Sequence, residues 1–239
     1  MTMKALLLTT DFPPLGGGIA DFLHHICEQL EPDVAVLTQK ANGDEAFDAR
    51  QPYQIIRLPV DPLSLWQRNL LLVPQWIRQA APLIQRQGVQ TIIGGFASPA
   101  ILLTLAYLRR RYAVTSQIIV HGGDILPIRL SPVRMAIEGP LLKRMTGFVA
   151  NSQFTQNVLT EQFGFSAEHT VVLHPGVEYA RFQKQNTVSI HNWPDSRKRI
   201  LTVGRLVDYK GFDRVIEAMA QLVGQGIDVG YIIVGKGND

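Results

Sequence analysis

The feature that most constrains this chain is a repeated pairing. A short, unbroken apolar run ends on a loop marked by glycine or proline, and a segment with apolar residues at helical spacing follows it. An unbroken run is what a strand buried on both faces requires. A stripe at helical spacing is what one face of a covering helix requires. Their alternation predicts a Rossmann-like α/β fold, a parallel sheet with helices on both faces. Strands are expected over 5–9, 34–37, 54–58, 89–93, 117–120, 148–150 and 170–173. The first helix carries Ile19, Phe22, Leu23, Ile26, Cys27 and Leu30 on one stripe. A helical region over 69–87 is expected to kink or restart at Pro74 and Pro82, since proline lacks the N–H and crowds the preceding turn. Pro99 suits the first position of the next helix. A longer loop should follow Asp124, then a helix near 133–145, and Asn151 or Ser152 should cap a helix running to Phe163.

After residue 177 the pattern stops. Residues 178–198 are polar and aperiodic and read as a connection, which leaves 1–177 as an amino-terminal domain and 199–239 as the opening of a second. That opening holds a strand at 200–203, a helix at 212–223 and a strand at 231–234, too little to bury a core, so an incomplete domain is expected. With 46% apolar and 18% charged residues the chain is not of disordered composition. The single Cys27 excludes an intrachain disulfide framework, and no histidine pair has zinc-ligand spacing supported by a third ligand, so no protein-bound metal is expected. The early apolar residues end too soon for a secretory core, and no run would span a bilayer. A soluble, cytoplasmic protein is expected. Net charge is +3, but seven of the cations lie between Arg109 and Arg144, against only Asp124 and Glu138. That stretch fits a solvated basic face, or attraction to anionic lipid or another acidic partner.

Three loops carry residues suited to chemistry. In Asp11–Gly18, between the first strand and helix, Gly16, Gly17 and Gly18 would let a substrate approach the backbone, and the helix start favours an anion. The same glycines fit a purely structural turn. The loop is neither the dinucleotide fingerprint nor a P-loop. His121 follows a central strand and precedes Gly122, Gly123 and Asp124, where it could donate to a sugar hydroxyl or bind a main-chain carbonyl. His24, His25 and His169 read as structural or exposed. Finally, Gly204–Gly211 places Arg205 after a strand and Lys210 at the mouth of a helix, a rigid fork and a compact cation suited to two linked phosphates. Surface cations paired with Asp208 or Asp213 would look the same.

The series Pro13–Phe22, His121–Asp124, Asn151–Thr155, Pro175–Glu178, Val203–Leu206, Lys210–Gly211 and Val234–Gly237 resembles, in order and spacing, the retaining glycosyltransferases of family 4, also called glycosyl transferases group 1. The resemblance implies a GT-B fold, two Rossmann-like domains facing each other. It implies transfer of a hexosyl group from a nucleotide diphosphate sugar, GDP- or UDP-linked, to an acceptor hydroxyl with retention of configuration. No tightly bound cofactor or metal and no nucleic acid is implied. The acceptor would be a sugar, a polyol or a lipid-linked molecule.

By position, the resemblance gives Gly16, Gly17 and Gly18 to the donor phosphates and acceptor, and His121, with Asp124 beside it, to the transferred sugar. Arg205 and Lys210 fall on the diphosphate clamp, flanked by Gly204 and Gly235. Lys236 departs from the commoner Gly-Glu-Gly pattern. The family's paired glutamates would fall beyond residue 239, so the chain alone is expected to bind without transferring. A non-catalytic sugar- or nucleotide-binding module is the alternative. Peripheral attachment to the inner membrane face is also expected, through the basic stretch and Ile125, Leu126, Ile128 and Leu130.

Overall fold

The computed structural model describes residues 4–59, 65–177, 179 and 198–237, the side chains of 65–71 excepted. The chain divides into two compact units, Met1–Val177 and Glu178–Asp239. Of the expected connection at 178–198, nearly all lies outside the described residues.

The first unit alternates strand and helix in this order: β1 (Ala5–Leu8), α1 (Gly18–Leu30), β2 (Val34–Gln39), α2 (Asp44–Asp48), β3 (Gln54–Leu58), α3 (Leu65–Gln87), β4 (Thr91–Gly94), α4 (Pro99–Tyr112), β5 (Thr115–Val120), α5 (Leu126–Leu130), α6 (Pro132–Leu142), β6 (Gly147–Ala150), α7 (Gln153–Asn157) and β7 (Thr170–Val172). Its strands form one parallel sheet, ordered β3-β2-β1-β4-β5-β6-β7. Successive side chains point to opposite faces. Leu6, Leu8, Ala35, Leu37, Ile92, Ile118 and Val120 therefore face one core with Trp76, Ile101, Leu105 and Leu142 of α3, α4 and α6. Leu7, Val34, Val36, Ile93 and Ile119 face the other, with Phe22, Leu23 and Cys27 of α1. Because β1 pairs with both β2 and β4, the strand order reverses there. Ligands of open α/β sheets bind outside the carboxyl ends at such a point.

Local signals account for several element ends. Pro99 opens α4 and Ser98 caps it by accepting from the Ile101 N–H; Ser152 caps α7 by accepting from Thr155. The helix from Gln153 continues as a π-turn over Val158–Gln162. Two expectations need correction. The helix α3 does not restart at Pro74 or Pro82 but continues through both. An interior proline costs about 3 kcal/mol, but Trp76, Ala80, Leu83 and Ile84 are buried along this helix, and a leucine or isoleucine side chain alone is worth about 1.5–3 kcal/mol when fully buried. The loop expected after Asp124 contains α5, whose Ile128 is buried, as is the preceding Ile125. Those two side chains belong to the core and cannot face a membrane.

The second unit holds β8 (Lys198–Val203), α8 (Phe212–Gly224) and β9 (Val229–Val234), with β8 and β9 parallel. Several of its apolar side chains stay open: Ile200, Leu201, Val203, Ile216 and Val234 are 38–71% exposed.

Candidate functional site

In the first unit the expected residues gather at the carboxyl edge of the sheet. The loop after β1 bends under its own contacts: the buried Thr9 hydroxyl donates to the Asp11 carbonyl and accepts from the Asp11 N–H. Phe12 is fully buried, with the His24 and Phe47 rings edge-on to it. Gly17 then adopts φ 149 and ψ 152, a backbone that side chains disfavour, and lends no side-chain cap to α1. A Cβ at Gly16, Gly17 or Gly18 would meet nothing within 4 Å, so the loop leaves room beside the start of a 13-residue helix. The partial positive charge of that helix end favours an anionic group.

Gly95, just past β4, is a close-approach position. A Cβ there would lie 2.7 Å from Leu23 Cδ1 and 2.8 Å from Thr9 Cβ. Its carbonyl lies 2.8 Å from His121 Nε2. A carbonyl only accepts, so Nε2 carries the proton and the neutral ring keeps Nδ1 as an acceptor. Of the two roles open to His121, the structure fills the main-chain one with Nε2. The Phe22 ring, one turn into α1, meets the imidazole edge-on at 5.9 Å.

Asp124 spends both carboxylate oxygens on main-chain donors: Oδ1 accepts from His121 at 2.9 Å and Ile125 at 3.0 Å, and Oδ2 accepts from Ala97 at 2.9 Å. It thereby staples the β4–α4 loop to the β5–α5 loop and holds the His121 backbone. The Asn151–Thr155 motif also works on its own helix, since the Thr155 hydroxyl donates to Asn151 Oδ1 at 2.8 Å.

One bracing residue was not singled out by sequence reasoning. Arg57, on β3, has a side chain only 5% exposed. Its Nε and Nη2 donate to the two oxygens of Asp48, both at 2.8 Å, its Nη1 donates to the Gln39 carbonyl and its Nη2 to the Pro13 carbonyl at 2.6 Å. A buried guanidinium thus fixes the glycine loop from behind. The available signal was an arginine between Ile56 and Leu58 of a strand, where a buried charge demands a partner. Cys27 offers no nucleophile, because burial pushes its thiol up to about 12.

In the second unit Gly204, Arg205, Lys210 and Gly235 also come together. A Cβ on Gly235 would fall 2.0 Å from the Gly204 carbonyl oxygen, so the two glycines let the ends of β8 and β9 touch. Gly204 donates to the Val234 carbonyl and Leu206 to that of Lys236. Arg205 Nη2 donates to the Tyr209 hydroxyl at 3.2 Å, and Lys210 Nζ sits 5.6 Å from the centre of the same ring. Tyr209 is a second residue that sequence reasoning passed over. Among the described residues neither cation makes an ion pair with Asp208 or Asp213. No group of three His, Cys, Asp or Glu residues converges among the described residues, and no described helix is long and apolar enough to cross a membrane.

The solved structure of HepE from Anabaena in complex with UDP and glucose superposes with a TM-score of 0.68 at 21% identity, covering 99% of this chain and 62% of that one. Sucrose-phosphate synthase from Thermosynechococcus elongatus gives 0.64 at 18% identity, covering 97% and 62%. These likenesses establish a GT-B type of fold. In sequence, the chain is 29% identical over 250 residues to the GDP-mannose-dependent monoacylated alpha-(1-6)-phosphatidylinositol monomannoside mannosyltransferase of Corynebacterium glutamicum, covering 98% of this chain and 61% of that protein. The GDP-mannose-dependent alpha-(1-6)-phosphatidylinositol monomannoside mannosyltransferase of Mycolicibacterium smegmatis is likewise 29% identical, with 97% and 60% covered. The chain thus spans about three-fifths of the length of these curated relatives. The model of Glycosyl transferases group 1 matches residues 183–239. With the model of Glycosyltransferase Family 4 matching residues 16–181, well over half of its length, the chain belongs to that family.

Proposed function

We propose that the protein transfers a hexosyl group, mannose carried on GDP, from its nucleotide diphosphate to the hydroxyl of a lipid-linked acceptor, with retention of configuration. The observation that carries this reading is the Gly204–Gly211 loop. Arg205 and Lys210 both meet Tyr209, and neither is neutralised by Asp208 or Asp213. Two such cations match two linked phosphates, whose negative charge grows as the glycosidic bond breaks, so they stabilise the transition state more than the ground state. The choice of GDP-mannose and of a lipid acceptor rests on the two mannosyltransferase relatives. The UDP in the HepE complex belongs to a more distant likeness.

Within this reading the acceptor oxygen attacks the anomeric carbon from the face the leaving phosphate departs, and that phosphate takes the acceptor proton. No covalent enzyme intermediate is invoked, and Cys27 is too buried to form one. His121 Nδ1 accepts from a hydroxyl of the transferred sugar, and Asp124 keeps the His121 backbone in place. Gly16, Gly17 and Gly18 make room for the acceptor and donor phosphates.

The test is transfer of labelled mannose from GDP-mannose, with UDP-glucose as the competing donor, by a form of the protein that carries the paired glutamates expected beyond residue 239, and by its Arg205→Ala and Lys210→Ala variants. Each substitution should cut turnover by roughly 100-fold or more, as loss of a charge-stabilising donor does. Near-normal turnover in both would remove the diphosphate assignment. Donor binding without transfer in the unsubstituted protein would assign it to the binding modules instead.

A further inference from the structure

The two cations of the Gly204–Gly211 loop stand on a fixed backbone but carry long side chains that this backbone does not fix. Leu206 donates to the Lys236 carbonyl at the end of β9, Asp208–Lys210 closes a single tight turn, and Gly211, at φ 68, leads the chain into α8. None of these bonds reaches the guanidinium or the ammonium group. A solvated Arg or Lys side chain samples many rotamers, and ordering it on a ligand costs binding free energy. Two like charges brought together also repel, and among the described residues no carboxylate forms an ion pair with either. Another group must hold them if they are to meet two linked phosphates at once.

Tyr209 reaches both. Its hydroxyl accepts from Arg205 Nη2 at 3.2 Å, and its ring face lies 5.6 Å from Lys210 Nζ, within the range at which a ring quadrupole attracts an ammonium group. The side chain is 74% exposed, so it anchors no core. It is also neutral. A carboxylate in the same place would neutralise the cations, and a diphosphate would then have to displace it. A phenol gathers both charges and leaves both available.

We infer that Tyr209 is a positioning residue for the donor diphosphate: it holds Arg205 and Lys210 in place before the nucleotide sugar arrives, by a hydroxyl bond to one and a ring face to the other. The inference rests on the reading of Gly204–Gly211 as the diphosphate clamp. Ordering the cations beforehand favours the bound donor and the transition state equally. Losing that order therefore raises the donor KM and leaves kcat nearly as it was.

The experiment is steady-state transfer by the same glutamate-bearing form with Tyr209→Phe, Tyr209→Leu or Tyr209→Glu. Inhibition of each by inorganic pyrophosphate is measured alongside, because pyrophosphate carries two linked phosphates without base or sugar. Tyr209→Phe keeps the ring for Lys210 and frees Arg205, so the donor KM should rise about threefold; Tyr209→Leu frees both cations and should raise it about tenfold. Tyr209→Glu neutralises the cations and should raise it further than Tyr209→Leu does, although it adds ion pairs to the loop. The pyrophosphate inhibition constant should rise by the same factors. For Tyr209→Phe and Tyr209→Leu, kcat and the acceptor KM should stay within about twofold of the parent, and thermal unfolding should not move, since the position is exposed. A parental donor KM in both would overturn the inference, as would a rise that the acceptor KM shares or that pyrophosphate does not follow. Failure of the underlying reading looks different: Arg205→Ala and Lys210→Ala would keep near-normal turnover, and the role of Tyr209 would fall with the clamp. Should those two lose turnover while the Tyr209 variants keep the parental donor KM, the clamp stands and only the inference about Tyr209 fails.

Discussion

The β1–α1 loop and the β8–α8 loop each carry the chain from a parallel strand past glycines into a helix, yet they are held from different distances. The first is fixed by residues far along the chain. Arg57 reaches the Pro13 carbonyl across 44 positions, and Phe12 lies buried against Phe47 and His24. The second is fixed mostly by itself and its one neighbouring strand: Tyr209 by Arg205 and Lys210, Gly204 and Leu206 by the end of β9. The first unit can afford a loop of open glycines because the core behind it is complete. In the second unit the described elements behind the loop are β8, α8 and β9, with Val203 71% exposed and Val234 49%.

Removing the long-range brace should give the largest effect. Arg57→Met leaves Asp48 without its two donors and the Pro13 and Gln39 carbonyls without theirs, all around a side chain 5% exposed. Breaking a buried pair from one side costs about 3–5 kcal/mol. Urea unfolding should lose stability on that scale, and proteolysis should newly cut near residues 11–17. A loss below about 1 kcal/mol would mean that the β1–α1 loop holds itself, as surface pairs contribute only that much, and the contrast between the two loops would fall.

The same division explains what the sequence disclosed. The strand–helix alternation, the Pro99 start and a cap at Asn151 or Ser152 were legible because each rests on neighbours in sequence, and the structure assigns the cap to Ser152. His121 and Asp124 stood out by position at the end of a central strand. Their partners, Gly95 and the Ala97 N–H, lie 26 and 27 residues away and could not be read. Arg57 and Tyr209 carried no motif, and α5 was missed because Leu126–Leu130 is only five residues long, with a proline inside. At Pro74 and Pro82 local propensity pointed to a kink or a restart; the helix does not restart, because tertiary packing of α3 prevailed.

A smaller effect should come from the self-contained loop. Gly235→Ala sets a Cβ against the Gly204 carbonyl, 2.0 Å away in the present backbone, so the strand ends must part. Overpacking of this kind costs about 1–3 kcal/mol. Hydrogen exchange should speed at Gly204 and Leu206, whose N–H groups bond to the end of β9, while amides of β1, β4 and β5 keep their protection. Slowed or unchanged exchange at Gly204 and Leu206 would show that the close approach is dispensable.

The smallest expected effect is a pH dependence present at the first loop and absent at the second. His24 Nδ1 lies 2.7 Å from the Tyr53 hydroxyl, its ring stands edge-on to Phe12 and Phe47, and its side chain is 18% exposed. Burial lowers its pKa from the ordinary histidine value; His25 also lowers it, and the Glu28 and Asp21 carboxylates oppose without reversing the shift. With the folded value below the unfolded one of about 6.5, the unfolded chain binds the proton first as pH falls. The stabilisation is therefore complete above about 6.5 and declines as pH drops toward the lowered folded value. No histidine, the side chain whose ordinary charge change falls in that window, stands in Gly204–Gly211. The variant His24→Leu should be less stable than the parent at neutral pH, since the Tyr53 hydroxyl loses its partner, but the gap should narrow on acidification. Urea midpoints compared at pH 7.5 and pH 5.5, where an ordinary histidine changes charge, measure that gap directly. Parallel pH curves for parent and variant would show that His24 does not couple protonation to the packing beneath the β1–α1 loop.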